Sequence, residues 1–170
     1  MSKSYVSLKD LRITYTRYKT YICFLLIFFC TMVLNLPQII QGTVVNFIIL
    51  SNQSKSRATK ILVCVIPSVF TVIHNTIFGI NTKFLLLFLP IIWISNYLYI
   101  ISYNTKQTRL FSSIIKATSI FIYAYVLYSY KLIPSPLLVN MGLLQLITSS
   151  LGILFYSLSK SNNQKLSGQS

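Results

Sequence analysis

Six apolar runs, separated by short polar segments, make up most of this chain of 170 residues. They cover Thr20–Leu36, Gln38–Leu50, Ile61–Ile80, Phe84–Tyr103, Leu110–Tyr130 and Leu137–Ser159. A helix needs about 20 apolar residues to cross a bilayer, with a tolerance of several residues. The pattern predicts an all-α integral membrane bundle of six transmembrane helices, with no separate soluble domain.

The segments outside the runs set the predicted domain boundaries. Residues 1–19 form a basic N-terminal segment, 20–159 the membrane domain, and 160–170 a disordered tail with no apolar face. No small-residue cleavage site follows the first run, so we expect a retained helix and not a signal peptide. The second run has only about 13 residues, and whether it crosses the bilayer completely stays open.

Lys and Arg residues alternate in number from gap to gap. The chain has fifteen of them against one acidic residue, Asp10. Five lie before the first run, three after the second, two after the fourth and two in the tail, whereas the other gaps hold none, one and one. Because cationic loops stay on the cytoplasmic side, this alternation predicts a multi-pass cell-membrane protein with both termini in the cytoplasm.

Amide and imidazole side chains fall at a similar depth in four of the runs. They lie eight to fourteen residues inside: Asn46 in the second run, His74 and Asn75 in the third, Asn96 in the fourth and Gln145 in the sixth. An unpaired amide in hydrocarbon costs several kcal/mol, so these side chains should face the bundle interior. They predict either hydrogen bonds that tie helices together or, with Trp93 as a stacking surface, a polar substrate-binding cavity.

Lys116 is the one cation inside a run, six residues from the cytoplasmic start of the fifth. Its side chain has two predicted placements. The long stem could carry the ammonium back to the membrane surface, or the ammonium could point inward beneath the cavity and meet an amide oxygen or an anionic ligand.

Small residues and prolines interrupt the runs. Ser149 and Gly152 should let the sixth helix approach a neighbour closely, and Pro67 and Pro90 lie inside the third and fourth runs. Prolines are tolerated in a span where neighbours supply hydrogen bonds or where a cavity is lined.

The composition excludes several kinds of chemistry. A single carboxylate cannot form an acid–base pair, and one histidine with scattered serines does not make a nucleophile and its base, so no enzyme activity is expected. The three cysteines, which lie inside apolar runs, form no CxxC motif and predict packing positions without a metal or other cofactor. The apolar character also speaks against a nucleic-acid binder.

Several short motifs resemble those of one family. These are LPQIIQGTVVNFIIL, ILVCVIPSVFTVI, LPIIWISNYLYII, a lysine in the fifth helix and MGLLQLITSSLG. They resemble the substrate-binding S components of energy-coupling factor transporters, a group whose relatives sometimes carry an iron hydrogenase label. The motif positions fall on Gly42, Val45, Asn46, Pro67, Pro90, Ile92, Ser95, Asn96, Lys116, Met141, Gly142, Gln145 and Leu146. The hydrogenase label has no support, since no cysteine arrangement here could hold an iron–sulfur cluster.

The resemblance implies a six-helix subunit that binds a vitamin-like or other small polar or anionic solute from outside. Such a subunit docks on a transmembrane coupling subunit driven by ATPases. The first run lacks the alanine-x-x-x-alanine motif that S components commonly use for docking. The alternative is a non-transporting structural or assembly membrane protein whose buried polar residues only hold helices together.

Overall fold

A computed structural model describes residues 37–74, 84–103 and 109–167, without the side chains of His74 and 162–167. The described chain is helical. Its helices are α1 (Gln38–Ser51), α2 (Arg57–His74), α3 (Leu85–Ser102), α4 (Arg109–Ser129), α5 (Ser135–Val139) and α6 (Gln145–Ser167), with a π-helical turn, Asn140–Leu144, joining α5 to α6. The predicted all-α class is confirmed for these residues. The predicted helix Thr20–Leu36 lies outside them.

Three of the described helical segments are long and apolar enough to cross a membrane. They are Leu85–Ser102, Arg109–Ser129 and the continuous segment Ser135–Ser161. Large apolar side chains remain exposed on them, among them Phe111, Ile122 and Leu154, as expected where the solvent is lipid. By the length and composition of its helices, this is a membrane protein. The described residues supply three such spans and a shorter apolar helix, not the six that the sequence predicts.

The short helix α1 matches the second apolar run. It has 14 residues and begins directly after Pro37, whose carbonyl oxygen accepts from Ile40 and Gln41. At 1.5 Å per residue its length is roughly 21 Å, less than the hydrocarbon thickness of about 30 Å. It is therefore short for a full span, as the sequence predicts.

Local chemistry sets where α4 ends. Leu132 donates its backbone N–H to Leu127 O and Lys131 donates to Tyr128 O, with Lys131 at a φ of 56°. This pair of bonds is a Schellman motif, here with lysine in the left-handed position that glycine usually takes. Pro134 and Pro136 then start α5, because proline is compatible with the first turn of a helix.

Helix α6 extends beyond the predicted end of the membrane domain at residue 159. α6 continues to Ser167, through most of the segment 160–170 that the sequence assigns to disorder. No proline or glycine lies between Gly152 and Gly168. Extending an existing helix avoids the cost of nucleating a new one, so a polar sequence can continue a helix that packing has already fixed.

Two apolar clusters form the core on either side of mid-bundle. One includes Leu85 and Phe88 of α3 with Ile120 and Ala124 of α4, and extends to Met141. The other contains Ile49, Leu50, Cys64, Tyr99, Ile100, Tyr103 and Ile153. Polar side chains occupy the space between these clusters.

Candidate functional site: a polar cavity around Lys116

A cavity of about 80 Å³ lies between the helices at the level of the buried polar residues. Its polar lining comes from Gln38 and Asn46 of α1, Ser68 and Thr71 of α2, Asn96 of α3, Lys116 of α4, and Gln145 and Thr148 of α6. The apolar lining includes Leu85 and Ile92 of α3. Every long described helix therefore contributes to one site.

Lys116 points into the bundle. The residue is 3% exposed, its Nζ donates to Asn46 Oδ1, and Nζ lies 5.1 Å from the centroid of the Tyr99 ring. An ammonium over an aromatic face is held by the electron density of the ring. Of the two placements that the sequence left open, the structure has the inward one.

The charge on Lys116 has no acidic partner among the described residues. Asp10, the only acid in the chain, belongs to the N-terminal segment outside them. A neutral amide oxygen and a ring compensate only part of the cost of removing an ammonium from water, which is several kcal/mol per ion. When Lys116 is protonated, the site therefore has an unbalanced positive charge.

Asn46 is positioned by close packing between α1 and α6. A Cβ atom on Gly152 would lie 2.6 Å from Asn46 Cβ and 3.2 Å from its carbonyl carbon, so only glycine permits this approach. Asn46, which is 1% exposed, donates from Nδ2 to Thr148 Oγ1 at 3.3 Å. The amide thus connects α6 to the lysine on α4.

Asn96 has one hydrogen bond and one open position. Its Nδ2 donates to the carbonyl oxygen of Cys64 at 3.2 Å, in the helical turn before Pro67. Its Oδ1 is buried and has no hydrogen-bond partner among the described residues. A buried acceptor without a donor costs about 1–3 kcal/mol, which makes Asn96 unusual in a native interior.

A π-helical turn precedes Gln145 on the chain. It covers Asn140–Leu144, and Leu144 and Gln145 both line the cavity. Single π-turns inside α-helices occur often at functional sites because they change the direction of the following side chains. The sixth run of the sequence gives no sign of this irregularity.

The structure brings together four of the seven predicted site residues. Asn46, Asn96, Lys116 and Gln145 line the cavity. Trp93 does not; its Nε1 donates to Ser68 Oγ at 2.8 Å, so it supports the cavity wall from behind. Asn75 and the side chain of His74 lie outside the described residues, so these two assignments stay predictions.

The sequence interpretation missed the hydroxyl residues of the lining. Ser68 and Thr71 are one turn apart on α2, and Thr148 follows Gln145 by one turn on α6. Their spacing places them on the same face as the named residues, which is the signal that could have identified them. Within the described ranges, no group of three His, Cys, Asp or Glu side chains could hold a metal.

The volume of the cavity limits what it can hold. Pockets for drug-sized ligands measure about 300–1,000 Å³, whereas a water molecule takes about 30 Å³ of liquid volume. At about 80 Å³, this cavity is several times smaller than such pockets and suits a solute of a few heavy atoms.

A second polar group lies where α1 and α3 end and α4 begins. We call it the tyrosine cluster: Gln53, Tyr103, Arg109, Tyr156 and Ser157. Gln53 donates to Tyr156 Oη at 3.0 Å, and Tyr103 Oη and Arg109 Nη1 each lie 3.4 Å from Ser157 Oγ. The rings of Tyr103 and Tyr156 meet edge to face at 5.5 Å.

No protein-family model, curated protein or solved structure matches this chain. The function must therefore be argued from the site and not from a relative.

Proposed function

We propose that this chain is a small solute-binding membrane protein, the substrate-capture subunit of an uptake transporter, and that the cavity around Lys116 is its binding site. The observation that carries the proposal is a buried lysine without an acidic partner among the described residues, in the same cavity as a buried amide oxygen that lacks a donor. Groups left unsatisfied in a folded protein are destabilising unless something else completes them. A bound solute supplies that completion.

The proposed topology is six transmembrane helices with both termini in the cytoplasm. The alternation of Lys and Arg between gaps supports it. In this orientation the first residues of α1 and α3, Gln38 and Leu85, lie at the outer end of the cavity lining. The solute then enters from outside the cell, and the tyrosine cluster is on the cytoplasmic side.

Uptake by this subunit requires a partner. The chain contains no GxxxxGK[ST] loop with which to bind a nucleotide. A transmembrane coupling subunit with ATPases is the partner that the resemblance to S components implies. The absence of alanine from Thr20–Leu36 means that docking would use other side chains.

Ligand-linked stability of the purified protein in lipid nanodiscs tests the proposal. A panel of small anions, alcohols and amides should contain at least one that raises the midpoint of thermal unfolding, because a solute at a hundred times its Kd adds about 2.7 kcal/mol to stability. Asn96→Leu should make the rise smaller. Ser102→Ala, which removes a hydroxyl bonded within the same helix, should leave it intact. No rise with any member of the panel contradicts the proposal.

The second candidate is a structural or assembly protein without a ligand. It is favoured by the small volume of the cavity and by bonds that join helices, such as Tyr99 Oη to Ser149 O at 2.7 Å. This function predicts that Asn96→Leu changes stability by the same amount with and without every solute. It also predicts that a stable complex with another membrane protein can be purified.

A further inference from the structure

We propose that the cavity binds a small monoanion that carries its own hydroxyl group, with Lys116 at the anionic oxygen and Asn96 accepting from the hydroxyl. Bicarbonate and short hydroxy acids such as glycolate share this chemistry. The inference rests on the proposed function and narrows its solute to one chemical class.

The negative charge of the proposed solute is inferred from the surroundings of Lys116. Of the three N–H groups of its ammonium, one donates to Asn46 Oδ1, and the nearby Tyr99 ring carries no formal charge. A buried ammonium needs a negative charge nearby, and the described site contains no carboxylate. An anionic solute would supply that charge. A cationic or neutral solute would leave that charge uncompensated.

The hydroxyl group of the proposed solute is inferred from the hydrogen bonding of Asn96. The Cys64 carbonyl can only accept, so the amide group that faces it must be the NH₂ group, and the other atom must be the acceptor Oδ1. Oδ1 then needs a donor, and the described lining supplies none. A hydroxyl on the solute donates there, whereas acetate or chloride cannot.

The size of the proposed solute is inferred from the volume of the cavity. A cavity of about 80 Å³ is several times smaller than a pocket for a drug-sized ligand, so the solute should have only a few heavy atoms. Bicarbonate and glycolate are of this size. Citrate and gluconate are much larger, so gluconate can serve as the background anion.

The test is calorimetric titration of the full chain in nanodiscs, with sodium gluconate keeping the ionic strength constant. The probes are sodium glycolate, sodium bicarbonate, sodium acetate and neutral glycolamide. We expect glycolate or bicarbonate to bind about tenfold more tightly than acetate, since one hydrogen bond to an otherwise unpaired acceptor is lost with acetate. Glycolamide should not bind measurably. Tighter binding of bicarbonate would assign the ligand to inorganic carbonate. Tighter binding of glycolate would assign it to the short hydroxy acids.

Two variants and a matched control complete the test. Lys116→Met should abolish binding of every anion, and Lys131→Met, which removes the same charge from an exposed loop, should not change it. Asn96→Leu should reduce the affinity for glycolate to that for acetate. If Lys116→Met does not fold, Asn96→Leu still tests whether the hydroxyl of the solute contributes to binding.

Three results would overturn the inference. Equal affinities for glycolate and acetate exclude the role of the hydroxyl. Tight binding of a neutral solute that survives in Lys116→Met excludes an anion, although the proposed solute-binding function stands. No binding of any solute in this experiment or in the wider panel rejects both.

Discussion

The tyrosine cluster and the cavity around Lys116 are both polar groups inside an apolar bundle, but their side chains are paired to different extents. In the tyrosine cluster, Gln53 donates to Tyr156, and Arg109 lies over the Tyr103 ring at 5.8 Å while sharing Ser157 with Tyr103. In the cavity, Lys116 is buried whereas Arg109 is only half-buried, and the buried amide oxygen of Asn96 has no donor among the described residues.

The difference separates two uses of polar residues in a membrane protein. A paired cluster needs nothing further, so its contribution is to hold helix ends together. An incompletely paired cluster at mid-depth is costly unless a ligand completes it, and polar or ionisable residues at such positions are associated with substrate pathways. Substitutions in and around the two clusters test whether they differ in this way.

The largest effect on stability is expected for Gly152→Ala, which disturbs the cavity through its framework. The new Cβ would meet Asn46 Cβ and backbone, which cannot move without separating α1 from α6. Overpacking of this kind costs about 1–3 kcal/mol. Denaturation of the purified variant in mild detergent measures this loss, and solute binding should weaken with it.

Gly142→Ala is the matched control for that change. Its Cβ would also meet an atom at 2.6 Å, but that atom belongs to the Phe121 ring, which can rotate away. We expect a change in stability below about 1 kcal/mol, partly because alanine favours the helix. Equal losses for the two glycine variants would show that Asn46 is not held by this contact.

A smaller loss is expected for Trp93→Phe, which tests whether Trp93 contacts the solute. The variant removes the hydrogen bond from Nε1 to Ser68 and should lower stability by about 1 kcal/mol. Because Trp93 lies outside the cavity lining, the stabilisation by solute should persist. Loss of that stabilisation would restore the stacking role that the sequence predicts for Trp93.

The smallest effect is expected for Tyr156→Phe in the tyrosine cluster. It removes the acceptor for Gln53 and should lower stability by about 0.6 kcal/mol, the average for a polar contact between membrane helices. The aromatic contact with Tyr103 remains. A change in solute affinity on this substitution would mean that the two clusters are coupled.

The helices themselves are largely predictable from the sequence. The runs Gln38–Leu50, Phe84–Tyr103 and Leu110–Tyr130 match α1, α3 and α4 to within one residue at each end. Long apolar runs bounded by polar residues leave little freedom in where a membrane helix begins and ends. The common level of Asn46, Asn96 and Gln145 also follows from residue counting, because the rise per residue of a helix is constant.

The direction of individual side chains is not predictable in this way. Lys116 turns inward because Asn46 and the Tyr99 ring, each on a different helix, receive its ammonium. Trp93 turns away from the cavity because Ser68 on α2 accepts its N–H. Both outcomes depend on how helices are rotated against each other, and no single run contains that information.

A comparison of Lys116→Met with Tyr156→Phe in one experiment tests most sharply whether the cavity around Lys116 binds a solute. Each variant is heated in nanodiscs with and without saturating glycolate, and the rise in the unfolding midpoint is compared with that of the wild-type protein. We expect the rise to be lost in Lys116→Met and retained in Tyr156→Phe. A rise of equal size in both variants would contradict the claim that the cavity around Lys116 is completed by a ligand.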